Sequence, residues 1–159
     1  MTLIDKEPVK RVQKILKEFD TNAEVIVLNS SARTALEAAK SLNCEVGAIV
    51  KSLLFKTEQN FILCLVAGDK KASLNKIKKI LNMKDISMAS ADDVKNVTGF
   101  TIGGVSPIGH LNETNILIDN SLERFNYLFA AAGHPNCVFK ISFKDLNKIT
   151  KGSIKELIE

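Results

Sequence analysis

The chain has 159 residues, 45% of them hydrophobic and 25% charged, a globular balance; at this length one domain buries roughly 70% of the surface its unfolded form would expose. No stretch is apolar enough to span a membrane. The N-terminal MTLIDKEPVKRVQKIL puts charges where a signal peptide needs unbroken hydrophobicity, so a single soluble, cytoplasmic domain over residues 1–159 is expected. Cys44, Cys64 and Cys137 lack a CxxC spacing and lie beside apolar residues, and the two histidines are far apart. Buried free thiols are expected, with no metal and no other cofactor.

Val9, Val12, Ile15, Leu16 and Phe19 recur at helical spacing after Pro8 and predict an amphipathic helix ending near Asp20. Ala23 to Leu28 reads as a strand, and Thr34 with Glu37 forms a capping-box pattern opening the helix TALEAAKSL. A short turn around Glu45 to Ile49 leads into VKSLLFK, which the polar TEQN joins to FILCLVA as a hairpin. Gly68 and Asp69 end it, Ser73 can cap LNKIKKIL, and Ile86 to Ala89 looks like a brief strand. Ser90 with Asp92 and Asp93 starts a helix that Gly99 stops. Strands in NILID, YLFAA and CVFKI follow, with a turn at GHPN and a last helix opened by Ser142. Two hairpins interspersed with helices argue for an α+β fold on a mixed, mostly antiparallel sheet.

The unusual residues collect in two loops. Four of the eight glycines lie in TGFTIGGVSPIGH, as Gly99, Gly103, Gly104 and Gly109 with Pro107 and His110; AAGHPN adds Gly133, His134 and Pro135. Glycine lets main-chain N–H groups approach a ligand and proline fixes a loop's shape, so such loops suit an ester carbonyl or a phosphate; on spacing alone two tight turns between strands are the plainer reading, since the first loop matches neither GxxxxGK(S/T) nor the dinucleotide fingerprint. Lys51 stands inside the apolar AIVKSLLF, on the strand face of Leu53 and Phe55 and opposite Val50, Ser52 and Leu54. It either snorkels to the rim or serves a site. Lys70, Lys71, Lys76, Lys78 and Lys79 crowd into ten residues of a chain whose net charge is only +4, as a solvated helix face or a surface for phosphates. No GxSxG and no paired catalytic carboxylates point to covalent catalysis.

Taken in order, TALEAA, VGAIVKSLLFK, AGDKKASLNKIKKIL, ASADDVKNVTGFTIGGVSPIGH, ILIDNSL and AAGHP resemble the YbaK/ProX family of prolyl-tRNA synthetase associated editing domains along nearly the whole chain. The resemblance implies a mixed sheet curled into a partly open barrel with helices around it. It also implies hydrolysis of the ester joining a small wrong amino acid (Ala, Cys, Ser or Thr) to tRNA. Lys51 matches the family's functional lysine; Gly103, Gly104, Ser106, Pro107 and Gly109 match the loop facing the acyl group, with His110 at its end. Gly133 and His134 match the second loop of the amino-acid pocket, Asp119 a polar position nearby, and Thr34 a helix start at the pocket's edge. By this reading Lys51, Gly103 and Gly104 are catalytic, and Lys70, Lys71, Lys78 and Lys79 meet the tRNA. The partners are aminoacyl-tRNA and a synthetase such as prolyl-tRNA synthetase. The alternative is a non-catalytic tRNA- or synthetase-binding module of the same fold.

Overall fold

The computed structural model describes residues 2–159. Helix α1 spans Glu7–Phe19, with Pro8 in its first turn where a missing N–H costs nothing, and buries Val9, Val12 and Leu16. Strand β1 (Ile26–Val27) is shorter than the run Ala23 to Leu28 suggests, because it lies at the sheet edge and pairs only with Val138 and Cys137. Thr34 caps α2 (Ala35–Leu42) through the expected box: its hydroxyl accepts from the Glu37 N–H, and the Glu37 carboxylate accepts from the Thr34 N–H. A 3-10 turn at Val46–Ala48 then leads into the hairpin of β2 (Ile49–Lys56) and β3 (Phe61–Ala67), in register from Val50↔Ala67 to Lys56↔Phe61.

Ser73 caps α3 (Leu74–Leu81), β4 (Ser87–Met88) pairs with the end of β2, and Ser90 caps α4 (Ala91–Thr98), which Gly99 closes in the left-handed region. Strand β5 (Asn115–Asp119) ends in a 3-10 turn, Asn120–Arg124. Strands β6 (Leu128–His134) and β7 (Cys137–Ile141) form the second hairpin, followed by α5 (Phe143–Thr150) and β8 (Ser153–Lys155).

The eight strands run β1-β7-β6-β2-β3-β5-β8, with β4 beside β2. Pairings β1·β7, β2·β3, β2·β4 and β6·β7 are antiparallel, while β2·β6, β3·β5 and β5·β8 are parallel, so the sheet is mixed with a small antiparallel majority. Its edge strands β1 and β8 do not pair with each other, so it is not a closed barrel. Alternation along β2 divides the core. Val50 and Leu54 join Val9, Leu16, Val94 and Leu146 on the face covered by α1, α4 and α5. Phe55 joins Ile77 and Leu157 on the opposite face, where Ala38 and Ala39 of α2 also cover Ile49.

Gly133 shows how tightly α1 is seated. Its φ is +93°, and a Cβ there would stand 2.8 Å from the Pro8 carbonyl oxygen. Gly133→Ala therefore combines left-handed strain with a collision against fixed main chain, and should destabilise the fold by at least about 2 kcal/mol in urea unfolding. An unchanged midpoint would contradict this packing.

Candidate active site

Strand β2 has a gap along one side. Strand β6 pairs with it only at Ile49 and Val50, and β4 only at Phe55 and Lys56, so the stretch between has no strand neighbour there. A cavity of about 380 Å³ fills the gap. Because the gap interrupts the sheet, residues from both faces of β2 line the cavity: Lys51 from one, Ser52 and Leu54 from the other. Thr34 and Arg33 line it from just before α2, Met88 from β4 and Ala89 from just beyond it, Gly103 and Val105 from the glycine loop, and His134 and Pro135 from the hairpin turn. Its interior is apolar, with Leu54, Val94, Ala130 and Val138. The Ser52 hydroxyl is buried there with no hydrogen-bond partner among the described residues.

Lys51 is half-buried, and its Nζ donates to the Lys70 carbonyl. Burial lowers its pKa below the usual lysine range, opposed by the Asp69 carboxylate. His134 accepts the Asn136 N–H on Nδ1 at 3.0 Å, which leaves its proton on Nε2. Burial first, then the positive charges of Lys6 and Arg33, lower its pKa, so the neutral ring is favoured at pH 7. Gly103 and Val105 keep N–H groups with no acceptor among the described residues, whereas the Gly104 N–H is taken by the Thr101 carbonyl at 3.0 Å. Cys137 also lines the cavity, but burial raises its pKa and keeps it a thiol; buried Cys64 is pushed up to about 12.

Thus Lys51, Thr34, Gly103 and His134 share one cavity, and the other expected residues stand behind it. Gly104 packs on the main chain of His134, which a Cβ would meet at 2.9 Å, and Gly109 packs on Val12. Ser106 and Pro107 are buried, the Ser106 hydroxyl accepting the Ile108 N–H. Asp119 is fully buried and does not line the cavity: one oxygen accepts from Ser121, the other from the Leu157 N–H at 2.6 Å. His110 is a brace. Its Nε2 donates to the Ser106 carbonyl at 2.7 Å, and its ring stands edge-on to Phe100.

Burial lowers the His110 pKa, the Ser106 bond opposing it. The unfolded chain therefore binds a proton that the folded chain resists, so stability present above the unfolded value of about 6.5 is lost as pH falls towards the folded value. His110→Gln should flatten this part of the pH dependence in urea titrations between pH 5 and 8. An unchanged slope would assign it elsewhere.

Arg33 is the charged cavity residue that sequence reasoning missed, together with apolar ones such as Met88, Val105 and Phe129. Its signal is a lone exposed arginine beside the Thr34 cap. The lysine cluster borders the site through the Lys70 carbonyl, with Lys71 and Lys79 exposed, Lys70 and Lys78 half-buried, and Lys76 held by Glu156 and the Ile158 carbonyl. Among the described residues no group of three His, Cys, Asp or Glu side chains is arranged to hold a metal, and no helix is long and apolar enough to cross a membrane.

The sequence matches the family described as the aminoacyl-tRNA editing domain over residues 29–149, and the chain belongs to that family. It is 30% identical to the uncharacterized protein YwhH of Bacillus subtilis (strain 168), over 89% of this chain and 90% of that one. It is 27% identical to a proline--tRNA ligase of Caldicellulosiruptor saccharolyticus over 93% of this chain, but spans only 26% of that enzyme. A crystal structure described as a candidate trans-editing enzyme for prolyl tRNA synthetase superposes with a TM-score of 0.91 at 34% identity, covering 97% of this chain and 98% of that one. The α+β mixed sheet is thus the fold of that structure as well.

Proposed function

We propose that residues 1–159 act as one editing unit, a trans-acting hydrolase that deacylates tRNA carrying a small wrong amino acid. The observation that carries this reading is the single cavity combining a partly desolvated lysine, two free main-chain N–H groups and a neutral histidine. An aminoacyl ester is already activated, so an enzyme need only hold the acyl carbon, stabilise the oxyanion and admit a nucleophile. The N–H groups of Gly103 and Val105 receive the carbonyl oxygen as it gains charge. Lys51 anchors the terminal adenosine or the developing negative charge, and His134 offers its Nε2–H. Water adds to the carbonyl carbon, the bond to the 3′-oxygen breaks, and that oxygen leaves with the proton the water gives up, passed directly or through the neighbouring 2′-hydroxyl, so free amino acid and tRNA result.

The small residues Gly103, Ala130 and Ala131 on the cavity wall and its apolar lining suit a small side chain, and the unpaired Ser52 hydroxyl suits a hydroxyl or thiol. Cognate prolyl-tRNA is spared by shape. The test is release of amino acid from alanyl-, cysteinyl-, seryl- and threonyl-tRNA beside prolyl-tRNA. Hydrolysis of one or two of the first four, with prolyl-tRNA intact, is expected; release from none would favour the tRNA- or synthetase-binding module.

The lysines beside the site are assigned to the acceptor stem, and prolyl-tRNA synthetase is the candidate partner. Both assignments suit the cytoplasm. Reversing Lys71 and Lys79 to Glu should weaken tRNA binding and make the salt dependence shallower by about one unit of log–log slope per lost phosphate contact. Unchanged affinity would leave these lysines a solvated face.

A further inference from the structure

We infer that Asp119 and Arg124, at and just beyond the end of β5, position the Lys51 amine by clamping the loop Asp69–Ser73 on which it rests. The inference builds on the deacylase reading of Lys51.

The protein acceptor of the Lys51 amine is a main-chain carbonyl, that of Lys70, in the connection between β3 and α3. That connection belongs to no sheet ladder; an isolated bridge, Ala72↔Ile158, is its one strand-like pairing. Its shape is set from outside at two points. At one end, Asp69 receives both terminal nitrogens of Arg124 at 3.0 and 2.8 Å, the fork geometry that fixes a carboxylate in direction as well as distance. At the other, the Ser73 N–H donates to the Leu157 carbonyl at 2.6 Å and the Glu159 N–H to the Lys71 carbonyl at 3.0 Å, so the C-terminal segment is strapped along the loop.

Both ties lead back to one buried carboxylate. Asp119 Oδ1 accepts the Leu157 N–H and anchors the strap, whose Leu157 side chain is fully buried. Asp119 Oδ2 accepts the Ser121 N–H and hydroxyl and so shapes the turn from which Arg124 projects, with Arg124 Nε donating to the Ser121 carbonyl at 2.7 Å. A buried carboxylate is costly unless its oxygens are engaged; here both accept hydrogen bonds, and the Arg124 guanidinium is near enough to feel the charge. Asp119 and Arg124 do not line the cavity, so they are positioning residues. Their route to Lys51 also carries charge: Asp69, whose place Arg124 fixes, is the carboxylate that offsets the effect of burial on the amine.

An exposed ion pair contributes little to folding, so Arg124→Gln should remain folded. Trace acetylation of the full-length protein across pH, read by mass spectrometry at Lys51 and at exposed Lys14, needs no tRNA. With Arg124→Gln the Lys51 midpoint should shift, because the loosened loop changes both the hydration of the amine and its distance from Asp69, while Lys14 stays put. In deacylation, kcat should fall about tenfold with KM changed less than about twofold, and the loss should vanish in a Lys51→Ala background. Asp119→Asn, which keeps an acceptor for Leu157, should retain more activity than Asp119→Ala. An unmoved Lys51 midpoint in folded Arg124→Gln overturns the clamp, even if kcat falls. If Lys51→Ala deacylates normally, the deacylase reading of Lys51 fails instead, and the labelling still decides the clamp.

Discussion

Lys51→Ala should slow amino-acid release from a mischarged tRNA by at least about a hundredfold, the scale of removing a group that meets developing charge in a water-poor site, while the protein stays folded. The two halves of this expectation have separate grounds. The loss of activity follows from position: among the described residues Lys51 is the one lysine on the cavity wall, it stands on the stretch of β2 between the β6 and β4 pairings, and burial has already stripped part of its water. The tolerance of the fold follows from what the amine holds, a carbonyl in a surface connection rather than a buried carboxylate, so its removal strands no buried charge. Lys51→Arg is the sharper control, because a guanidinium keeps the charge but not the compact ammonium. Single-turnover release of labelled amino acid, with circular-dichroism melting of each variant, reads both halves. A folded Lys51→Ala protein of wild-type rate would remove lysine from the mechanism.

Gly104→Ala should be the next most damaging change at the site, although Gly104 is not on the cavity wall. Its Cβ would meet the His134 main chain at 2.9 and 3.0 Å and the Gly133 carbonyl carbon at 3.1 Å, atoms that cannot rotate away. The glycine loop must then separate from the β6–β7 turn, displacing Gly103 and Val105 relative to His134. A displacement approaching about 1 Å costs up to about a hundredfold in rate, so a loss of about tenfold or more is expected, with a stability loss of about 1–3 kcal/mol. Gly103→Ala makes the useful contrast: its φ of +97° brings strain, but the nearest atoms to a Cβ are 3.6 Å away, so the loops need not part. Rates compared at equal folded fraction should rank Gly104→Ala below Gly103→Ala; the reverse order would mean that loop conformation, not loop spacing, sets the rate.

What the sequence revealed, and what it did not, divides along a physical line. Local signals were legible: Thr34, Ser73, Ser90 and Ser142 each cap the helix they precede, and both hairpins form where apolar runs flank a short polar link. Strand β8 was missed because SIK is short, exposed and without alternation, and it exists only because β5 offers it an edge. Spacing alone left Lys51 between snorkelling and service, since the gap in β2 arises from how far β4 and β6 extend, a tertiary fact. Asp119 is the clearest case. Its motif marks it as polar and near the site, yet its work depends on Leu157, 38 residues away in the chain.

The most direct measurement is multiple turnover: wild-type protein at about one-hundredth the concentration of a labelled, mischarged tRNA, with prolyl-tRNA in parallel. Deacylation chemistry in this cavity predicts that the mischarged pool is emptied over many cycles while prolyl-tRNA survives. Stoichiometric tRNA binding with release no faster than spontaneous hydrolysis would contradict it and make the cavity a binding site alone.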